Sequence, residues 1–194
     1  MTLSTSRLPT VIVLASGRGE RFRTAGGTGS KLQAELAGQA VLAHTLDAVR
    51  ASGLPWHLED IGHPGMGDSI AAAVRATASS NGWLILPGDL PLVQAATLRA
   101  VAAALQGDAQ PAQAQAAQPS FRGERGHPVG FVMACFAQLA ALEGNLGAAP
   151  VLQALRKSGT VVDVQVDDIG VLTDIDTPEA LAQAERLMLA RRGF

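Results

Sequence analysis

The residues best suited to chemistry lie near the start of the chain. The apolar run Thr10-Val11-Ile12-Val13-Leu14-Ala15 opens into Ser16-Gly17-Arg18-Gly19-Glu20-Arg21, and Lys31-Leu32 follows a further glycine-rich stretch. Glycine lets a backbone come close to an anion and offer it N–H groups, while Arg and Lys supply charge. The segment therefore reads as a phosphate site, although read alone it is also a plain flexible loop. It does not fit two well-known templates. Phe22 stands where a dinucleotide fingerprint needs Gly or Ala, and Ser30 stands where a Walker loop needs Gly before Lys31. A second candidate is Asp89 in Gly88-Asp89-Leu90-Pro91, directly after the apolar run Trp83-Leu84-Ile85-Leu86. Such an aspartate either caps a turn or, beside a phosphate loop, binds a hard cation through its carboxylate. His127, between Gly126 and Pro128, fits a tight turn or a substrate contact. Asp174 and Asp176 precede a helix and read first as turn and cap residues, with Asp174 the alternative second metal contact. His44 falls on an apolar helical face, His57 and His63 show no metal-ligand spacing, and Cys135 reads as a small core residue.

Several elements must position these groups. Residues 10–15 and 83–86 are apolar without alternation, as strands buried on both faces are. Val41, Leu42, Thr45, Leu46 and Val49 recur at helical spacing until Gly53 and Pro55. Residues 56–61 suggest a short strand. The glycine loop 62–67 opens a helix carrying Ser69, Ile70 and Val74, and Thr97, Leu98, Val101 and Leu105 mark another. Residues 107–119, rich in Ala, Gln and Pro, read as a low-complexity mobile connection with a strand at most at its end. A hairpin turn at 121–125, a helix around Val151-Leu152-Leu155, an alternating strand at 161–166 and a last helix opened by Thr177-Pro178-Glu179 complete the series. Alternation of strands and helices predicts an α/β layered fold with a largely parallel sheet. Ligands in such sheets sit at the carboxyl ends of the strands, where Ser16, Gly88 and Asp89 fall.

Composition narrows the classes. The 194 residues favour one domain spanning 1–194, and 47% hydrophobic content suffices for an ordinary core. No apolar run reaches the roughly 20 residues that span a bilayer, and the first residues do not read as a secretory signal. The single cysteine excludes an internal disulfide and fits a cytoplasmic location. A net charge of −2 argues against nucleic acid as the main partner.

The blocks Leu14-Ala15-Ser16-Gly17-Arg18-Gly19-Glu20-Arg21-Phe22, Lys31-Leu32, Leu42-Ala43-His44-Thr45-Leu46, Gly65-Met66-Gly67-Asp68-Ser69, Gly88-Asp89-Leu90-Pro91, Gly126-His127-Pro128 and Asp174-Ile175-Asp176-Thr177-Pro178-Glu179 together resemble the MobA/MocA-like nucleotidyltransferases. The later blocks are more similar to the molybdopterin cytidylyltransferase branch. The resemblance implies a three-layer Rossmann-like fold of the nucleotide-diphospho-sugar transferase type, with a mostly parallel sheet and helices on both faces. It implies transfer of a nucleoside monophosphate, from CTP rather than GTP, to a molybdopterin-type phosphate with release of pyrophosphate. A molybdoenzyme or its chaperone is the protein partner it suggests. The backbone from Leu14 through Ala15 and Ser16 to Gly17 would hold base and ribose, with Gly67 and Ser69 near the base. Arg18 and Lys31 would meet the triphosphate, Asp89 would bind Mg²⁺, with Asp174 second, and His127 would face the acceptor. Sugar-phosphate nucleotidyl transfer and a non-catalytic nucleotide-binding relative are the alternatives. The chain departs from the family pattern at Ser16, at Arg23 where Gly is usual, in its longer loop to Lys31, and in its short span between Gly53 and Gly65. The Ala/Gln/Pro stretch stands where the pattern has an apolar strand.

Overall fold

The computed structural model describes residues 8–17, 19–106 and 114–191. The central sheet runs in the order β4 (Trp56–Glu59), β1 (Thr10–Leu14), β5 (Gly82–Pro87), β8 (Val129–Val132), β6 (Ala116–Phe121). The short β7 (Glu124–Arg125) pairs with one side of β6, and β9 (Val161–Gln165) also pairs with β6. The pairs β1·β4, β1·β5 and β6·β9 are parallel, whereas β8 is antiparallel to both β5 and β6. Val11, Ile12, Val13, Leu84 and Leu86 are fully buried, as the unbroken apolar runs require.

Two cores cover the two faces. Ile12 and Ile85 pack against Ile70 and Val74 of α3 (Met66–Ala76), Leu139 of α5 (Phe136–Ala140), and Val151 and Leu155 of α6 (Ala149–Lys157). On the other face, Val11, Val13, Leu84 and Leu86 meet Val49 of α2 (Val41–Ser52) and Leu98 and Val101 of α4 (Ala95–Gln106). This is the expected three-layer α/β arrangement. A third cluster joins Phe22 of α1 (Glu20–Thr24), Leu36 of the β2–β3 ribbon (Glu35–Leu36 and Gln39–Ala40), and Ala184 and Met188 of α7 (Pro178–Arg191). Thr177 caps α7 by accepting the Ala180 amide, as the Thr-Pro-Glu pattern predicts.

The structure adjusts three expectations. Of the stretch 107–119, residues 107–113 lie outside the described residues, but Ala116, Ala117, Gln118 and Ser120 are buried in β6, with strands on both sides. Ala116 and Ala117 are fully buried, one in each of the two cores that cover the sheet. The strand predicted for 56–61 ends at Glu59, and six residues lead directly into α3. The long loop after Ser16 is not unstructured throughout. It contains α1, whose Phe22 is 3% exposed, and Gly27 lies so close that an added Cβ would stand 2.3 Å from the Phe22 ring. Asp168 is an anchor with no counterpart in the sequence reading. Its buried carboxylate accepts from Thr97 Oγ1, the Gln94 and Gly170 amides and Arg191, tying α4 and α7 to the segment between them.

Candidate functional site

A cavity of about 830 Å³ opens at the carboxyl ends of β1 and β5. Its construction begins at Gly88. The Gly88 amide donates to Leu14 O at 2.9 Å, and a Cβ on Gly88 would meet that same oxygen at 2.9 Å, so the chain can cross the end of β1 only as glycine. Asp89 then faces the glycine loop. Its carbonyl accepts the Ile175 amide at 3.0 Å, which brings 174–176 alongside. On the loop itself Gly19 adopts a left-handed φ of 61° as the N-cap of α1. The amides of Ser16 and Gly17 carry no hydrogen bond among the described residues.

Lys31 links these parts. Its Nζ lies 2.5 Å from Asp89 Oδ2 and 2.6 Å from Asp176 Oδ1, and Arg21 Nη1 holds the other Asp176 oxygen at 2.6 Å. Burial works against the Lys31 ammonium, but Asp89 and Asp176 together hold its pKa above the ordinary lysine value. Burial likewise raises Asp176, yet Lys31 and Arg21 outweigh it and leave this carboxyl below the usual range. Asp174 stands at the rim of the cavity. Partial desolvation, with the charges of Asp176 and Asp89, pushes its carboxyl up. His127 lines the cavity, and its Nδ1 is buried without a partner among the described residues. Burial dominates its titration and lowers its pKa, against the opposing pull of Asp89, so the ring is neutral at pH 7. The close approach of a Gly126 Cβ position to Val171 O, 2.1 Å, fixes where His127 enters.

The sequence-predicted residues divide accordingly. Leu14, Ser16, Gly17, Lys31, Ser69, Asp89, His127 and Asp174 all line the cavity. Arg18 lies outside the described residues. Ala15 and Gly67 are not part of the lining. The Gly67 amide donates to Gly144 O at 2.7 Å, and a Cβ there would strike the Glu143 backbone, so this glycine is required by packing. The longer loop still delivers Lys31, because α1 folds the excess chain away. Asp176 needs a correction. The cap of α7 is made by Thr177, and Asp176 belongs to the charged cluster. Sequence reasoning also missed Arg21, Arg125 and Asn145 as lining residues. Arg21 was legible as the arginine of the first block. Arg125 and Asn145 carry no local signal, since only the hairpin and the 143–147 loop bring them in.

The donor set fits a hard divalent cation. Asp89 and Asp176 already converge on one ammonium, and carboxylates prefer such ions. Among the described residues no three His, Cys, Asp or Glu side chains form a metal cage. A cation here would take one or two carboxylates and complete its shell with phosphate and water, as Mg²⁺ does.

A family model for the MobA-like NTP transferase domain matches residues 11–160. The chain belongs to that family. Comparison of folds agrees with it. Rv0371c of Mycobacterium tuberculosis H37Rv superimposes with a TM-score of 0.71 at 21% identity, covering 92% of this chain and 98% of the other, and it is also known as a manganese complex. A nucleotidyl transferase of Methanothermobacter gives 0.72 at 20% identity, covering 95% and 99%. CMP:2-keto-3-deoxy-manno-octonic acid synthetase complexed with CTP gives 0.64 at 12% identity, covering 94% and 99%. At these identities the likeness is one of fold. A search of curated protein sequences finds no relative. Among the described residues no helix is long and apolar enough to cross a membrane.

Proposed function

We propose that this MobA-like transferase joins a cytidine monophosphate unit from CTP to a molybdopterin-type phosphate, with Mg²⁺ as the cation and pyrophosphate as the second product. The observation that carries nucleotidyl transfer is the Asp89–Lys31–Asp176 cluster set against the free amides of Ser16 and Gly17 in one cavity. A volume near 830 Å³ is in the range of small-ligand sites and accommodates a nucleotide with part of an acceptor. The branch of the family rests on the sequence blocks Gly126-His127-Pro128 and Asp174–Glu179.

The reaction is in-line displacement at the α-phosphorus, and the protein acts by positioning and charge. Ser16 and Gly17 offer N–H groups to the nucleotide, and Ser16 Oγ is held 3.0 Å from Ser69 Oγ on α3. Lys31, released from its carboxylates, places a positive charge on the departing pyrophosphate. A bound Mg²⁺ would neutralise phosphate charge beside Asp89 and polarise the α-phosphoryl group. Neutral His127 and Arg125 stand on the opposite side of Asp89 from the glycine loop and receive the acceptor phosphate. The test is pyrophosphate release on incubation with each nucleoside triphosphate, Mg²⁺ and molybdopterin, alongside Asp89→Asn. CTP-dependent release that the variant loses while keeping its fold supports the reading. Wild-type turnover by Asp89→Asn removes the role of Asp89, and release only with a sugar phosphate reassigns the acceptor.

A further inference from the structure

A buried acid outside the charged cluster has no role in the scheme above. Glu59 ends β4 at the level of Leu14, with its side chain only 5% exposed. Neither Lys nor Arg reaches it among the described residues. Its two carboxylate oxygens instead face two imidazoles, His57 Nε2 at 3.4 Å from Oε2 and His63 Nε2 at 3.2 Å from Oε1. A carboxylate only accepts hydrogen bonds, so Nε2 of His63 carries the proton. The Nδ1 of His63 has no partner among the described residues and is not occluded, and His63 lines the main cavity. With Nε2 held by Glu59, Nδ1 is the ring atom left as an acceptor, on a residue that lines the cavity beside Pro64.

The order of strands says which part of a ligand meets it. Along the carboxyl edge of the sheet the lining residues follow β4, β1, β5 and then precede β8, giving His63, Ser16, Asp89 and His127 in turn. Phosphates are drawn to the cations Lys31 and Arg21. The uncharged base then lies away from the aspartates, where Ser16, Ser69, Pro64 and His63 form a neutral wall.

Resting on the transferase reading above, we propose that His63, oriented by Glu59, reads the nucleobase by accepting a hydrogen bond from its exocyclic amine, so that the site selects cytosine over uracil. Uracil carries a carbonyl where cytosine carries the amine, and two acceptors cannot pair. His63 contacts the base, whereas Glu59 is a positioning residue.

Calorimetry of the full chain with CTP, UTP and inorganic tripolyphosphate in Mg²⁺ tests this. The wild type should bind CTP about tenfold tighter than UTP, the worth of one good hydrogen bond. His63→Phe should bring the two within about twofold, and Glu59→Gln should reduce the ratio partway, with tripolyphosphate binding unchanged in both. Loss of stability in Glu59→Gln leaves the decision with His63→Phe. An unchanged ratio in His63→Phe, or a wild type indifferent to the base, overturns the proposal while triphosphate binding upholds the transferase reading. A wild type that binds none of the three overturns both.

Discussion

Lys31→Met removes the one ammonium shared by Asp89 and Asp176, and its consequences can be worked from the geometry. The Lys31 and Asp89 side chains are 14% and 12% exposed, so the pair is largely buried. Breaking a fully buried ion pair by deleting one partner costs about 3–5 kcal/mol. Here the carboxylates face an open cavity and regain water, and Arg21 still holds Asp176, so about 2 kcal/mol is expected. At roughly 2–4 °C per kcal/mol for a chain of this size, the melting temperature falls by about 4–8 °C in metal-free buffer. The second consequence has the opposite sign. A dication entering beside Asp89 meets the Lys31 charge. Two unit charges at 4 Å repel by about 1 kcal/mol even in water, hence about 2 kcal/mol for a doubly charged ion, or roughly thirtyfold in affinity. Without nucleotide, Lys31→Met should therefore bind Mn²⁺ about thirtyfold more tightly, as measured by loss of the free-ion paramagnetic resonance signal. Binding of a triphosphate should weaken at the same time, because a charge-assisted contact is gone. A variant with the wild-type melting temperature and wild-type Mn²⁺ affinity would refute the bridging role.

Two further outcomes follow from the fold. Asp163 is held at a pKa of about 2, first by its Arg125 hydrogen bond, against partial burial, and then by Arg156. Its folded value lies below the unfolded one, so its stabilisation is full above pH 4 and disappears as pH falls toward 2. Because the group is about a third exposed, Asp163→Asn should cost only about 1 kcal/mol at pH 7 and nothing near pH 2, read from urea midpoints. Gly126→Ala forces a Cβ to within 2.1 Å of Val171 O and must move backbone, so a loss of about 2–3 kcal/mol is expected by thermal melting. A melting temperature equal to wild type would mean that the 126–127 and 169–171 segments do not pack as described.

Much of this protein can be read from local chemistry. Unbroken apolar runs at 10–15 and 83–86 read as strands buried on both faces, and glycines at their ends mark the edge where ligands sit. Gly88-Asp89 is legible as the end of a buried strand, whereas the partner of Asp89 is set by Lys31, which the fold brings opposite it. Other features arise from residues far apart in sequence. Asp176 reads as a cap because Thr-Pro-Glu follows it, and only the bond from the Ile175 amide to Asp89 O turns it toward Lys31, 145 residues away. Ala116-Ala117 reads as low complexity because alanine has no strand preference. It becomes a central strand only when β8 and β9 flank it and helices close over both faces. His57, Glu59 and His63 alternate without a metal pattern, and burial of the acid on the β4 edge is what makes them a unit. Sequence by itself determined the two strands buried on both faces, the glycine turns and the kinds of charge brought to the site. The tertiary structure decided which charge faces which, because ion pairs and buried acids depend on distances of a few ångströms between segments that no local spacing encodes.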